Sequence, residues 1–147
     1  MADFNSVRQQ VNSMVGMKFG SFNASVKNMD KVYNHGPEST MKWSREHNGS
    51  YQKEYLNNNY ETVAETFLSK TETEVAYAIF DRNTRRAYTT GWQDKNNASD
   101  KFVRIDFWNN NERYSIVDTN GNGVVDENDT ITVEDKGQSM KLVDLLG

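Results

Sequence analysis

One twelve-residue segment carries oxygen-bearing side chains at nearly alternate positions. Within residues 118–129 these side chains are Asp118, Asn120, Asn122, Asp126 and Asp129, and Gly123 stands among them, where the chain must turn sharply. Ca²⁺ takes about six to eight oxygen ligands at about 2.3–2.6 Å, and a short loop supplies them when alternate side chains point inward around one tight turn. These residue types at this spacing therefore predict a calcium site, with Mg²⁺ as a competing ion.

The ligand spacing resembles a single EF-hand-like loop of the dockerin type, over residues 118–129 alone. The resemblance implies that Val124 offers its backbone carbonyl as a further ligand and that Val125 packs beneath the loop. Asp129 stands where sensor EF-hands carry a longer, bidentate Glu. With three charged ligands, Asp118, Asp126 and Asp129, the resemblance implies a weak site, with a Kd of about 10⁻⁵–10⁻³ M.

An ordinary turn without metal is the alternative interpretation of this segment. Asn120-Gly121 and Asn122-Gly123 are both dipeptides that favour tight hairpin turns. A turn alone, however, has no need of Asp126 and Asp129 at their offsets. We therefore prefer the calcium loop.

The residues on either side of the loop have the pattern of strands. Residues 113–117 alternate with a period of two, and residues 130–133 are rich in β-branched side chains. A calcium sensor works by swinging two helices apart, and a loop between strands has no such helices. The flanks therefore predict a structural calcium ion rather than a switch.

Periodicity elsewhere predicts an α+β fold in a single domain spanning residues 1–147. Apolar residues recur at helical spacing over 4–15, 22–33, 39–47 and 56–68, so residues 1–70 are expected to be mainly helical. Within residues 71–147, segment 75–80 is apolar on both faces, as in a central strand, and strands are also expected over 87–92, 103–107, 114–116 and 131–133. A turn is expected at 109–112 and a helical turn within 139–146, so this half is predicted to be an antiparallel meander. N-terminal helices are expected to pack on one face of this sheet.

Composition excludes several classes of protein. The net charge of −4 argues against a general nucleic-acid binder, and the absence of cysteine excludes disulfides, thiolate metal sites and thiol nucleophiles. No apolar run is long enough to predict a membrane span. No signal peptide is visible, although removal of a signal would leave the same pattern.

Candidate catalytic residues are few. His35, Glu38 and His47 do not have the spacing that places ligands on one helix face. Glu61, Glu65, Glu72 and Glu74 lie near the expected junction of helices and sheet, where a pair of carboxylates for glycoside hydrolysis could meet. Without a motif, we expect a protein that is not an enzyme, and a small secreted hydrolase acting on glycans is the alternative.

A basic segment predicts an interaction surface. Arg82, Arg85 and Arg86 fall at one expected turn, and Tyr88 and Trp92 follow. Basic and aromatic residues together bind acidic protein faces, sugars or nucleic acids, although a solvated sheet face is the simpler alternative. With the acidic residues of 118–135 as a complement, we expect a protein partner or a homo-oligomer; carbohydrate is the alternative partner, and nucleic acid is not expected.

These expectations combine into one functional hypothesis. The chain is a non-enzymatic calcium-binding module of a secreted, cell-surface or virion assembly, because a weak calcium site fills outside the cell, whereas it stays empty at cytosolic calcium below about 10⁻⁶ M. A cytoplasmic protein that responds to calcium is a third alternative.

Overall fold

The structure is a computed structural model, and it describes residues 4–25, 41–47, 50–56, 61–71, 73–90, 93–97, 99–133 and 137–147. A 3₁₀ turn (Phe4–Val7) leads into helix α1 (Arg8–Met14), residues 22–25 are helical, and Lys95–Asn97 form a second 3₁₀ turn. The strands are β1 (Met41–His47), β2 (Ser50–Leu56), β3 (Thr62–Leu68), β4 (Glu74–Asp81), β5 (Arg86–Thr89), β6 (Gln93–Asp94), β7 (Arg104–Asn109), β8 (Glu112–Val117), β9 (Thr130–Val133) and β10 (Gln138–Lys141). Helix α2 (Leu142–Leu146) follows β10 directly.

The strands form one antiparallel meander. Their order is β1-β2-β3-β4-β5-β7-β8-β9-β10, and the short β6 pairs with β4 off this path. Nearly every strand therefore lies beside its neighbour in the chain. Asn110 and Asn111, both with positive φ (51° and 66°), form the tight turn expected between β7 and β8, a conformation that Asn tolerates better than most residues.

The fold is mainly β, so the expectation of an α+β fold with residues 1–70 mainly helical is wrong. Residues 41–47 and 62–68 are strands β1 and β3, although their apolar residues recur at helical spacing. Pairing with β2 and β4 decides the conformation of β3, and its Thr62, Val63 and Thr66 are β-branched residues that suit a pleated sheet. A short apolar run does not by itself distinguish a strand from a helix.

The helical expectation holds at the N-terminus. Residues 4–14 form a 3₁₀ turn and α1, within the predicted helix of residues 4–15. Of the second predicted helix, 22–33, only residues 22–25 are described. Among the described residues, no helix is both long enough and apolar enough to cross a membrane.

One row of side chains across the strands runs through the centre of the core. Cross-strand pairing aligns Ala64, Ile79, Tyr88, Ile105, Ile116, Ile131 and Met140 on one face of the sheet. Side chains alternate between faces along a strand, so the flanking residues point to the opposite face. Ile105, Ile116 and Ile131 are fully buried.

Two segments distant in sequence cover this face. Val7, Val11 and Met14 of the N-terminal segment and Leu142 and Leu145 of α2 join the same buried cluster as the isoleucines. We call the covered side the core face and the opposite side the open face. The core therefore lies between the sheet and a thin layer made from both terminal regions.

A pair of neighbouring substitutions tests this division of faces. Ile131→Ala removes a fully buried side chain from the core row and is expected to lower the free energy of unfolding by about 2–5 kcal/mol. Thr132→Ala, one residue further on and facing the other way, is expected to change it by about 0.5 kcal/mol or less. Urea denaturation of both variants measures the difference, and equal losses would contradict the assignment of faces.

Candidate calcium site and neighbouring surfaces

The loop of residues 118–129 joins two strands, as the sequence predicts. It leaves β8 at Val117 and enters β9 at Thr130. The backbone N–H of Asp118 donates to the carbonyl of Val103 at 2.8 Å, which holds the start of the loop beside the strand next to β8. The two ends of the loop are therefore set by the pairing of β7, β8 and β9.

Backbone hydrogen bonds tie the loop to the N-terminal segment. The N–H groups of Gly16 and Phe19 donate to the carbonyls of Val125 (2.8 Å) and Gly123 (2.9 Å), and the N–H of Val125 donates to the carbonyl of Met17 (2.8 Å). The fully buried side chain of Val125 joins the core, in the place that the resemblance implies. These three hydrogen bonds are made by Gly123 and Val125, on either side of Val124, and none of them involves the carbonyl of Val124.

The same loop is tied to the C-terminal helix. The N–H of Leu142 donates to the carbonyl of Asp129 at 2.9 Å, and the N–H of Val143 donates to the carbonyl of Glu127 at 3.0 Å. These two donors belong to the first turn of α2, where backbone N–H groups lack partners within the helix. The loop therefore caps α2 while it holds the N-terminal segment.

Asp118 has one carboxylate oxygen engaged and one that is not. Its Oδ2 accepts a hydrogen bond from the backbone N–H of Gly123 at 2.9 Å, which closes the first half of the loop. Its Oδ1 is buried and accepts no hydrogen bond from the described part of the chain. A buried carboxylate oxygen without a donor is unfavourable unless a cation or another donor compensates it.

Asp129 is the most buried carboxylate of the loop, with no exposed surface. Its Oδ1 accepts from the backbone N–H of Thr119 at 3.1 Å and its Oδ2 from that of Asp126 at 2.9 Å. Burial raises its pKa to about 6, and the charges of Asp126 and Asp118 act in the same direction, against these two hydrogen bonds. The site thus holds negative charge that the protein alone does not neutralise.

Three amide groups donate hydrogen bonds to the carboxylate of Asp126. The Nδ2 of Asn120 donates to its Oδ2 at 3.2 Å, the Nδ2 of Asn122 donates to the same oxygen, and the backbone N–H of Asn128 donates to its Oδ1 at 2.9 Å. The hydrogen bond from Asn120, reinforced by those from Asn122 and Asn128, lowers the pKa of Asp126. Five of the six predicted ligands therefore make side-chain hydrogen bonds within the loop, and the sixth, Val124, makes one through its backbone N–H.

The glycines of the loop adopt backbone angles that other residues resist. Gly121 and Gly123 have φ of 71° and 77°. A side chain at Gly123 would meet nothing within 4 Å, so the requirement for glycine there comes from the backbone and not from crowding. The sharp turn expected at Gly123 is confirmed.

Within the described residues, no group of three or more His, Cys, Asp and Glu side chains is arranged to hold a metal ion. This includes Asp118, Asp126 and Asp129, whose carboxylates are not gathered around one point; the other predicted ligands are two amides and a backbone carbonyl. The amides of Asn120 and Asn122 present nitrogen to Asp126, and a half-turn of each would present oxygen instead.

The structure brings the three arginines of the predicted interaction surface to the β4–β5 hairpin, and it anchors two of them. The Nε of Arg82 donates to the carbonyl of Thr62 at 2.9 Å, and its guanidinium lies 5.8 Å from the centre of the Phe80 ring. The Nη1 of Arg86 contacts the Sδ of Met17 at 3.4 Å. Arg85, exposed at the turn with φ of 57°, is the arginine that projects furthest from these contacts.

The two aromatic residues of that surface do not join the arginines. Tyr88 belongs to the core row, is half-buried, and has its ring centre 6.2 Å from that of Phe102. Trp92 lies outside the described residues, as do His35, Glu38 and Glu72.

The open face carries a cavity of about 360 Å³ that the sequence reasoning missed. Its floor is made of small side chains, and Phe67, Phe80 and Trp108 lie around it with charged groups of both signs. Asp106, 4% exposed, accepts a hydrogen bond from the hydroxyl of Ser115 at 2.6 Å and pairs with Arg104, whose Nε lies 3.0 Å from Oδ1. The sequence signal is the alternation of Arg104, Asp106 and Trp108 with buried apolar residues, which marks a second face with its own polar chemistry.

Comparison with known proteins assigns neither a family nor a function. No protein-family model matches the chain, and no curated protein matches it. A solved structure of a TarM variant from S. aureus, in complex with fondaparinux, alpha-GlcNAc-glycerol and UDP, is 16% identical with a TM-score of 0.29; a second TarM structure is 17% identical with a TM-score of 0.32. The alignments cover 96% and 94% of this chain but only 28% and 26% of the TarM chains, and with such TM-scores neither likeness bears on fold or function.

The raised pKa of Asp129 predicts an unusual pH dependence of stability in the presence of a chelator. Between an unfolded pKa of 3.8 and a folded pKa of about 6, the folded state binds the proton more tightly, so this group's contribution to stability falls as pH rises through that window. Relative to Asp129→Asn, the free energy of unfolding of the unaltered protein is expected to fall by up to about 3 kcal/mol between pH 4 and pH 7.

Urea denaturation in EDTA across that range measures the effect. Glu127→Gln, which removes an exposed carboxylate from the same loop, is the matched control and is expected to follow the unaltered protein. If the free energies of unfolding of the unaltered protein and Asp129→Asn differ by the same amount at every pH, Asp129 does not change protonation in this window.

Proposed function

We propose that this protein is a non-enzymatic calcium-binding β-sheet module that acts through contacts with other proteins, outside the cell or in a virion. The observation that carries the calcium site is the buried Oδ1 of Asp118, which accepts no hydrogen bond from the described residues and lies in a loop with the buried carboxylate of Asp129. A divalent cation at this place binds the Oδ1 of Asp118 and offsets the charge of the Asp129 carboxylate.

The ligands of the ion are the side chains of Asp118, Asn120, Asn122, Asp126 and Asp129 with the carbonyl of Val124. Hard oxygen ligands from carboxylates, amides and a carbonyl suit Ca²⁺, and Mg²⁺ competes less well because it requires a closer octahedral arrangement. Rotation of the two Asn amides replaces their nitrogen contacts with Asp126 by oxygen contacts with the ion. Asp126 then binds directly or through a water molecule.

The role of the ion is structural. The loop holds both Gly16–Phe19 and the first turn of α2 by backbone hydrogen bonds, so an ion that rigidifies the loop stabilises the layer over the core face. One site stabilises a protein by about 2.7 kcal/mol when free Ca²⁺ is a hundredfold above its Kd. Strands β8 and β9 on either side are paired in the sheet and do not form a pair of helices that could swing open.

Calcium binding is tested by calorimetry on the unaltered protein, Asp118→Ala and Glu127→Gln. Heat of binding is expected for the unaltered protein and for Glu127→Gln, whose side chain is outside the ligand set, and its loss is expected for Asp118→Ala. Millimolar Ca²⁺ is also expected to raise the Tm by several degrees with nearly unchanged far-UV circular dichroism. Absence of calcium heat in the folded, unaltered protein would remove the proposal.

The partner surface of the proposal is the arginine turn, formed by Arg82, Arg85 and Arg86. Its acidic complement is the calcium loop of a second copy, which makes association both dependent on salt and sensitive to calcium. Because Arg82 and Arg86 already contact the protein, Arg85 is the side chain most available to a partner.

Sedimentation in calcium at low and high salt tests this association. The unaltered protein is expected to associate at low salt and to dissociate as the Debye length falls from about 10 to about 3 Å. Arg85→Asn, chosen because Asn tolerates the positive φ at that position, is expected to associate less, and Lys101→Ser, which removes an exposed cation elsewhere, is the control. A monomer at every salt concentration would contradict the partner surface while leaving the calcium site unaffected.

A further inference from the structure

The open face of the sheet has a built cavity whose residues play no part in the calcium loop. Cross-strand register places Glu65, Ala78, Thr89 and Arg104 in one row and Phe80, Ala87 and Asp106 in the next. The central positions of both rows are therefore small, and larger side chains stand on either side. A sheet with this pattern has a trough across β4, β5 and β7.

Aromatic rings flank the trough. Phe67, Phe80 and Trp108 line the cavity, and Trp108 is 38% exposed, which is high for the largest apolar side chain. Phe80 and Trp108 also line an adjacent cavity of about 400 Å³ near the arginine turn. The two rings therefore stand between two recesses with their surfaces accessible from both.

Fixed polar groups complete the lining. Asp106 is held by Ser115 and Arg104, so its carboxylate and the guanidinium keep one orientation relative to each other. The Arg104 side chain is 36% exposed and that of Asp106 is 6% exposed, so the guanidinium keeps a surface that a polar ligand can reach above a carboxylate held in place. Among the described residues, four charged side chains line the cavity, Glu65, Arg104, Asp106 and Arg113, and their charges cancel.

This combination selects the chemical class of ligand. A hexose ring presents one face of C–H groups, which packs on an aromatic ring, and a rim of adjacent hydroxyls, which match the paired atoms of a carboxylate or guanidinium. A lipid chain leaves the ion pair without hydrogen-bond partners, and a polyanion such as a nucleic acid gains nothing from a cavity with no net charge. The volume of about 360 Å³ lies at the lower end of the range for small-molecule sites.

We propose that the open-face cavity binds a neutral hexose unit of a glycan, with its ring against Trp108 and its hydroxyls on the Arg104–Asp106 pair. The site binds and does not hydrolyse. Glu65 and Asp106 lie on β3 and β7, three strand spacings or about 14 Å apart at the backbone, and the proposal assigns them no catalytic role.

The experiment uses the whole protein with calcium and three soluble probes, namely neutral glucan, galactan and mannan hexamers, with a uronic acid hexamer as the charged comparison. Binding is measured by NMR chemical-shift changes and by titration calorimetry at up to millimolar ligand. Saturable binding of at least one neutral hexamer is expected, stronger than that of the uronic acid hexamer. Trp108→Ala is expected to weaken it about tenfold or more, and Trp108→Phe to retain most of it.

Val143→Ala is the matched control, because it trims an exposed apolar side chain on α2 and is expected to leave binding unchanged. The melting temperature of each variant reports whether the fold is intact. If Trp108→Ala does not fold, Arg113→Gln, at the position paired with Trp108 across β7 and β8, is used in its place and is expected to weaken binding.

Three results would overturn the inference. They are no binding of any hexamer at millimolar concentration, binding that Trp108→Ala leaves unchanged in a folded protein, and stronger binding of the uronic acid hexamer that Arg85→Asn abolishes. The last result would move the ligand to the arginine turn. None of the three depends on the outcome of the calcium titration, since the cavity and the loop share no residue.

Discussion

Five backbone hydrogen bonds between the 118–129 loop and its neighbours hold the layer that covers the core face. Three join the loop to residues 16–19, and two join it to the first turn of α2. Each of α1 and α2 is less than two turns long, so its position depends on contacts such as these more than on the helix itself. The buried side chains of Val125, Met14 and Leu142 then meet over the isoleucine row.

This dependence explains why the loop carries so much uncompensated negative charge. Asp129 is fully buried at the point where the loop meets α2, and Asp118 keeps one buried oxygen without a donor. Charges in such places destabilise a fold unless a cation balances them. The cation that we propose at this site balances these charges in the loop that contacts both terminal segments.

The two faces of the sheet divide the protein's chemistry. The core face is closed by the terminal segments, and the open face retains polar and aromatic side chains around a floor of alanine and threonine. Since the pleat sends successive side chains to opposite faces, each strand contributes apolar side chains to one face and polar side chains to the other. The arginine turn lies at the end of β4 and β5, next to the open face, and Phe80 and Trp108 border both.

Local pattern alone predicted the loop, its flanking strands and the tight turn at Asn110 and Asn111, because turn residues and alternating strands act over a few neighbours. It failed at β1 and β3, whose apolar spacing fits a helix equally well; only pairing with the neighbouring strands β2 and β4 makes them extended. Likewise the sequence contained the acidic and amide side chains of the loop, but only the tertiary structure decided which carboxylate is buried. The alternation around Asp106 and Trp108 indicated a second, polar face, but the cavity itself unites residues from five strands whose register no local pattern encodes.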